Sequence, residues 1–82
     1  MSKFDKIKEK IMRKPTVNDL MPNEIKNFLE HYGFILKRVR GDHFIYIYPD
    51  KSEIVLNIPM HKPVKEAYID HIRNAIILIE ED

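Results

Sequence analysis

Two early segments of the chain carry apolar residues at helical spacing. In residues 2–13 they recur every three or four positions, with lysines on the other side, and this pattern predicts a short amphipathic helix. Its apolar positions are Phe4, Ile7, Ile11 and Met12. We expect Pro15 to end this helix and the Thr16-x-x-Asp19 pair to cap a single turn after it.

A second helix is predicted from Pro22, because proline suits the first turn of a helix, where its missing N–H is not needed. One face of this helix carries the apolar side chains of Ile25, Phe28, Leu29 and Tyr32. Gly33 occupies the position of a left-handed C-terminal cap. The helix is therefore expected to end at His31 or Tyr32.

After Gly33 the apolar pattern alternates, and β-branched and aromatic residues become frequent, which is typical of β-strands. Three strands are predicted, at residues 34–39, 43–48 and 53–58. Residues 40–42 are short enough for a tight hairpin, and residues 49–52 have the residue order of a type I turn. An antiparallel sheet is expected, with helices covering the side that carries Ile54, Leu56 and Ile58.

The last predicted element is a helix from Val64 to Glu80, which follows Pro59 and the Lys62-Pro63 pair. Its buried stripe has helical spacing and consists of Tyr68, Ile72, Ala75, Ile76 and Ile79. The element order is therefore α-α-β-β-β-α. It predicts an α+β fold in which a three-stranded antiparallel sheet carries helices on one face.

A chain of 82 residues has room for one core, so residues 1–82 are expected to form a single domain. This length excludes multidomain enzymes and doubly wound nucleotide-binding folds. The chain contains no Cys, which excludes disulfide frameworks and zinc ribbons. The longest apolar run, Ala75–Ile79, is too short to span a membrane, and the charged N-terminal stretch is not typical of a secretory signal. We therefore expect a cytoplasmic protein that makes no membrane contact.

Charge is unevenly distributed along the chain, although the net charge is only +1. Residues 1–41 contain ten Lys and Arg against five Asp and Glu, whereas residues 42–82 contain four against eight. This asymmetry permits an anion-binding face. Charge alone favours the simpler interpretation, which is a set of solvated helix surfaces.

The four histidines are the main acid–base candidates, because the unperturbed pKa of imidazole lies near neutral pH. His31 is expected to complement the dipole at the end of the second helix, and His71 to lie at the surface of the last helix. His61 precedes the last helix, where it either binds a phosphate or packs its own turn. A metal site formed by His43 and His61 has no support from the spacing of potential ligands and is not predicted.

His43 opens the second strand directly after Gly41-Asp42. A hairpin at this point brings the imidazole beside cationic side chains that can hold a phosphodiester. These cations are Lys37, Arg38 and Arg40. A structural role for a histidine at the start of a strand is the common alternative.

Phe44, Tyr46 and Tyr48 form an aromatic row on the opposite side of the second strand from Ile45 and Ile47. Such a row either stacks on nucleic-acid bases, meets a protein partner or is buried. The alternation of the strand does not decide between these roles.

Four segments of the chain, in this order, resemble the HicA family of toxins from bacterial and archaeal toxin–antitoxin pairs. They are the helix leading into Gly33-Phe34, residues 40–46 (RGDHFIY), residues 58–62 (IPMHK) and residues 64–73 (VKEAYIDHIR). The resemblance covers nearly the whole chain, and residues 1–14 are similar to the N-terminal helix extension of a longer subgroup. It implies a fold like that of double-stranded-RNA-binding domains.

The resemblance implies metal-independent cleavage of mRNA, without a cofactor, until a HicB-type antitoxin covers the site. In HicA toxins the histidine at the start of the second strand is catalytic, and this role carries over to His43. An imidazole can take the proton of a 2′-OH group, and the neighbouring phosphate is then the electrophile. The expected RNA-binding residues are Lys37, Arg38, Arg40, His61 and Lys62. The oligomeric state stays open.

Asp42 departs from the family pattern, which usually has Ser at this position. A carboxylate there either orients the ring of His43 or repels the phosphate and attenuates cleavage. Two other functions stay open, a non-catalytic RNA-binding module of the same fold and a protein-interaction domain that uses the aromatic row. The start of the last helix, with Lys62 and Lys65 beside Glu66, is less basic than in a double-stranded-RNA binder.

Overall fold

The computed structural model describes residues 3–13 and 20–81. The helices are α1 (Lys3–Met12), α2 (Pro22–Tyr32) and α3 (Glu66–Glu80), and the strands are β1 (Ile35–Arg40), β2 (His43–Tyr48) and β3 (Lys51–Pro59). The strands form an antiparallel sheet in the order β1-β2-β3. The predicted α+β class and element order are therefore confirmed. The predictions for Pro15, Thr16 and Asp19 fall outside the described residues.

The boundaries of α3 and β3 differ from the predicted ones, and β1 begins and ends one residue later than predicted. α3 begins at Glu66 rather than at Val64, whose side chain is buried ahead of the helix. The N–H of Val64 donates to the carbonyl of Leu20 (3.1 Å), so this residue joins the core through a loop contact. β3 begins at Lys51, because this residue already pairs with Tyr48 and the turn is shorter than expected.

Both ends of α2 follow the predicted signals. Pro22 is its first residue, and the Glu24 carboxylate accepts a hydrogen bond from the N–H of Met21 (3.1 Å). Gly33 ends the helix with a φ of 123°, a conformation that favours glycine, and its N–H donates to the carbonyl of Leu29 (3.2 Å). The chain therefore turns directly from α2 into β1.

The core lies between the helices and one face of the sheet. The register places Phe44 opposite Ile58 and Tyr46 opposite Leu56, so the aromatic row of β2 shares a face with the aliphatic residues of β3. Tyr46 is completely buried, while Phe44 and Tyr48 pack against the core. The alternative in which this row is an exposed stacking or partner surface is therefore wrong. Large rings on the helix-facing side of a sheet gain most by burial beneath the helices.

The opposite face of the sheet carries mostly exposed or half-buried side chains and changes in character along the strands. Its first cross-strand row is aliphatic and consists of Ile35, Ile47 and Val55, and the second consists of Arg38, Ile45 and Asn57. The row at the β1–β2 turn consists of Arg40, His43 and Pro59. Polar and basic groups therefore gather at the end of the sheet where β2 begins.

A buried arginine of α3 holds α1 against the rest of the molecule. The side chain of Arg73 is only 6% exposed, and its guanidinium donates to the carbonyls of Ile11 (2.8 Å) and Arg13 (3.2 Å) at the end of α1. Asp70 pairs with the same guanidinium at 2.6 Å. Since the last carbonyls of a helix have no partners within the helix, Arg73 caps α1 from outside. The apolar face of α1 lies in the same core as the sheet.

Candidate functional site

A tight turn and strand pairing bring two histidines to the same end of the sheet. Gly41 has a φ of 59°, which glycine adopts without strain, and the chain reverses from β1 into β2 within two residues. His43 opens β2 and pairs with Pro59, the last residue of β3. Met60 follows Pro59, and its N–H donates to the carbonyl of Asp42 (2.8 Å), which continues this pairing. His61 follows it and is thereby held beside the turn.

The carboxylate of Asp42 lies between the two imidazoles. Its Oδ2 is 2.6 Å from Nε2 of His61, whereas its Oδ1 is 3.8 Å from Nε2 of His43. Only the shorter distance lies within hydrogen-bonding range. Asp42 therefore holds the ring of His61 and is too far from His43 to hold that ring by a hydrogen bond.

Asn57 holds the ring of His43 instead. Nδ1 of His43 is 3.0 Å from Oδ1 of Asn57, which precedes Pro59 by two residues on β3. Since an amide oxygen only accepts hydrogen bonds, this contact requires the proton on Nδ1. Nε2 of the neutral ring then keeps its lone pair, which is the form that a general base needs.

Both imidazoles line a small cleft at this end of the sheet. Its volume is about 140 Å³, and the other lining residues are Pro59, Lys65 and Tyr68. The side chain of His43 is 45% exposed and that of His61 is 59% exposed. Both rings are therefore accessible to a ligand while their hydrogen bonds hold them in place.

Basic residues of β1 lie on one side of His43. Arg40 is the cross-strand neighbour of His43, and Arg38 is the cross-strand neighbour of Ile45. The Cβ atoms of cross-strand neighbours are about 4.5–5.5 Å apart. Lys37 lies at the register shift between β1 and β2 and is farther along the strand. All three cations are exposed. The structure thus brings Arg40 directly to His43 and places Arg38 and Lys37 progressively farther away.

Lys62 lies on the other side of the cleft, in the loop before α3. It lines a neighbouring hollow of about 330 Å³ together with His61, Lys65, Pro63 and Glu66. Lys65 is the N-terminal flanking residue of α3 and contributes to both hollows. The proposed RNA-binding residues therefore occur in two groups, one on each side of the two histidines.

Three residues of this site were not among those expected from the sequence: Asn57, Lys65 and Tyr68. Alternation along β3 already placed Asn57 on the side away from the core, so the register with β2 was the missing information. Helical spacing predicts Tyr68 in the buried stripe of α3, and this residue is partly buried there and also lines the cleft. The sequence indicates Lys65 only as a cation at the start of the last helix.

Neither of the remaining histidines lines this cleft, although His71 contacts Tyr68, which does. His31 stacks on Phe4 of α1, with ring centroids 4.0 Å apart, and His71 is exposed with its ring edge-on to Tyr68. Within residues 3–13 and 20–81, no group of three or more His, Asp and Glu side chains has an arrangement that could hold a metal ion. No helix in this part of the chain is long and apolar enough to cross a membrane.

These features define a small α+β protein with a fold like that of double-stranded-RNA-binding domains and a histidine–carboxylate cluster at one end of its sheet. The family model described as the HicA toxin of bacterial toxin–antitoxin systems matches residues 22–78. Because the match spans more than half of the chain, the chain belongs to the HicA toxin family. HicA toxins are mRNA interferases, and membership of a toxin–antitoxin family implies an antitoxin partner. No significant match was found among curated proteins or among solved structures.

Proposed function

We propose that this HicA toxin cleaves mRNA with His43 as the catalytic base. The observation that carries the proposal is the contact between Nδ1 of His43 and Asn57, which leaves Nε2 as a proton acceptor on an exposed ring. The cleft beside this ring and the cations on both sides of it suit a sugar–phosphate chain.

The reaction uses groups that the RNA itself supplies as nucleophile and electrophile. Nε2 of His43 takes the proton of a 2′-OH group, and the 2′-oxygen attacks the adjacent phosphorus. Negative charge then develops on the phosphate oxygens, and the cations around the cleft stabilise it. The cationic candidates are Lys37, Arg38, Arg40 and Lys62, and His61 is the further RNA-binding residue. Neither a metal ion nor a cofactor enters this scheme.

We expect inhibition by a HicB-type antitoxin that covers the cleft. Both imidazoles are accessible in the chain alone, so a partner has to block access to them to stop cleavage. The exposed basic residues of β1 offer such a partner a charged surface next to the site.

Replacing His43 tests the proposal directly. Mixed-sequence RNA is incubated in EDTA with wild type, His43→Ala or His31→Ala, the last being a matched histidine that stacks on Phe4 away from the cleft. Loss of a general base typically slows a reaction by about 10²–10⁴-fold, so His43→Ala should be slower by this factor while His31→Ala stays near wild type. Equal cleavage by wild type and His43→Ala would remove His43 from the mechanism.

Two further measurements accompany this assay. Thermal unfolding of both variants shows whether lost activity reflects lost structure, and filter binding to RNA shows whether affinity persists. If wild type binds RNA with a steep salt dependence but gives no product, the chain is a non-catalytic RNA-binding module and the proposal is wrong.

A further inference from the structure

The proposed cleavage needs a proton donor as well as a proton acceptor. When the bond between phosphorus and the 5′-oxygen breaks, that oxygen leaves as a high-energy alkoxide unless it receives a proton. His43 is the base that takes the 2′-OH proton, so it does not supply this second proton in the same step. A different group in the same cleft has to do so.

His61 is the second imidazole of the cleft and is accessible to a substrate. Lys65 and Tyr68 line the same cleft. Amines and phenols ordinarily titrate near pH 10, whereas imidazole titrates near neutral pH, where proton donation is efficient. The chemistry of the lining residues therefore favours His61 as the donor.

Asp42 fixes the orientation in which His61 meets the substrate. The 2.6 Å contact uses Nε2 of the ring, and a carboxylate in this contact accepts the Nε2 proton. When the ring is protonated, its second proton is on Nδ1, the nitrogen that Asp42 does not contact, and this is the proton left for a substrate. The same carboxylate is 3.8 Å from Nε2 of His43, so it lies between the two imidazoles but makes a hydrogen bond only to His61.

We propose that His61 is the general acid of the cleavage reaction and that Asp42 is its positioning residue, an inference that rests on the proposed function. As His43 takes the 2′-OH proton, the 2′-oxygen bonds to phosphorus. The bond to the 5′-oxygen breaks with its electron pair on that oxygen, which takes the Nδ1 proton of His61. The products are a 2′,3′-cyclic phosphate and a 5′-hydroxyl, His43 has gained one proton and His61 has lost one.

A substrate that needs no general acid separates this role from phosphate binding. The cleavage site is first mapped on ordinary RNA, and two short RNAs of that sequence are then compared, one normal and one with sulfur in place of the bridging 5′-oxygen. A thiolate leaves without receiving a proton. We expect His61→Ala to slow cleavage of the normal RNA by about 10²–10⁴-fold and to cleave the sulfur RNA at close to the wild-type rate.

His43→Ala provides the contrast, because the 2′-OH still needs a base in both RNAs. We expect it to be slow on both. His61→Gln, which keeps a hydrogen-bonding side chain without an acid, should behave like His61→Ala, and His31→Ala should match wild type on both substrates. Thermal unfolding of each variant identifies any that fails to fold, and the ratio of its two rates is independent of the amount of folded protein.

If His61→Ala is equally impaired on both RNAs while wild type is active, His61 binds phosphate or holds the loop, and the assignment is wrong. If wild type cleaves neither RNA, the proposed function fails and the assignment fails with it. The activity of wild type therefore distinguishes the two failures.

Asp42→Asn tests the positioning role. An amide in this place has no charge and a different hydrogen-bonding pattern, so we expect cleavage of the normal RNA to fall while cleavage of the sulfur RNA changes little. A merely structural role would lower both rates together. An equal loss on both substrates would therefore overturn the positioning role of Asp42.

The pH dependence gives an independent measurement. For wild type on normal RNA, we expect the cleavage rate to fall at low pH, where the base is protonated, and also at high pH, where the acid is deprotonated. With the sulfur RNA, the cleavage rate should no longer fall at high pH. The charged and titratable groups around His61 come from the β1–β2 turn, β2, its own loop and α3, and they are Asp42, His43, Lys62, Lys65, Glu66 and Tyr68. A high-pH fall that persists with the sulfur RNA would contradict the assignment.

Discussion

At the scale of single residues, two histidines acquire different environments from their neighbours. His43 faces an amide oxygen of Asn57, whereas His61 faces the carboxylate of Asp42. An amide oxygen fixes one tautomer of a neutral ring, and a carboxylate pairs with a protonated one. This difference is the physical basis for assigning the role of base to one imidazole and that of acid to the other.

Tyr46 gives a prediction about stability at this scale. Its ring is completely buried, and its hydroxyl has no hydrogen-bond partner in the described part of the chain. Burial, with a smaller contribution from the charge of Glu30, raises the pKa of Tyr46 to about 12. Because Phe fills the same space without an unsatisfied hydroxyl, we expect Tyr46→Phe to leave the free energy of unfolding unchanged or to raise it by up to about 1 kcal/mol in urea titrations.

Tyr32→Phe is the matched control, since the Tyr32 hydroxyl donates to the carboxylate of Glu80. Loss of that hydrogen bond should lower the free energy of unfolding by about 0.5–1.5 kcal/mol. A larger loss for Tyr46→Phe than for Tyr32→Phe would show that the buried hydroxyl of Tyr46 has a partner after all.

At the scale of elements, polar contacts attach α1 to the C-terminal helix at two places. Arg73 donates to the final carbonyls of α1, and Lys8 of α1 pairs with Glu80 at 2.6 Å near the end of α3. Glu80 also accepts the hydrogen bond of Tyr32 from α2. One carboxylate therefore connects three helices.

The pH dependence of stability should report this contact. Hydrogen bonds from Lys8 and then from Tyr32 lower the pKa of Glu80 from its ordinary value of 4.5. The stabilisation is therefore complete above pH 4.5 and is lost as the pH falls through the lowered pKa. In urea titrations from pH 7 downward, we expect the advantage of wild type over Glu80→Gln to shrink below about pH 4.5 and then vanish.

Glu9→Gln is the control for this experiment, because Glu9 of α1 pairs at an exposed position with Arg13, the residue that follows the helix. Such pairs contribute at most about 0.5 kcal/mol, so its difference from wild type should stay small at every pH. An advantage of wild type over Glu80→Gln that persists unchanged at pH 2 would contradict the role of the Glu80 carboxylate.

At the scale of the whole molecule, the uneven charge along the sequence becomes an uneven surface. The basic residues of β1 lie beside His43, and those of the loop before α3 lie beside His61. The net charge of +1 therefore understates the local positive charge at the cleft.

Replacing Arg40 should change the salt dependence of RNA binding more than replacing Lys6, a lysine of α1. Binding of single-stranded RNA is measured between low and high salt with His43→Ala, which avoids degradation, alone and combined with Arg40→Ala or Lys6→Ala. Each lost phosphate contact makes the slope of log affinity against log salt less negative by about 0.7. We expect this change for Arg40→Ala and little change for Lys6→Ala, which lies on α1. Equal changes in both would mean that Arg40 makes no specific phosphate contact.

Much of the fold was predictable from local patterns. Apolar spacing, Pro22 and Gly33 predicted α2 with its correct ends, and alternation predicted three strands, because these signals arise from residues near one another in the chain. The start of α3 was wrong by two residues, since burial of Val64 depends on its contact with Leu20. The burial of the aromatic row also depended on which face of the sheet the helices cover.

The sequence by itself determined the order of the elements, the family and the histidine that opens β2, because each is encoded in a contiguous segment. Only the tertiary structure decided that Asn57 holds His43, that Asp42 holds His61 and that Arg73 caps α1. These contacts join residues that are distant in the chain, and their geometry depends on strand register and helix docking to within about an ångström, the precision that hydrogen bonds require. Local patterns predict which face a residue occupies, whereas the partner it meets there is set by the packing of the whole chain.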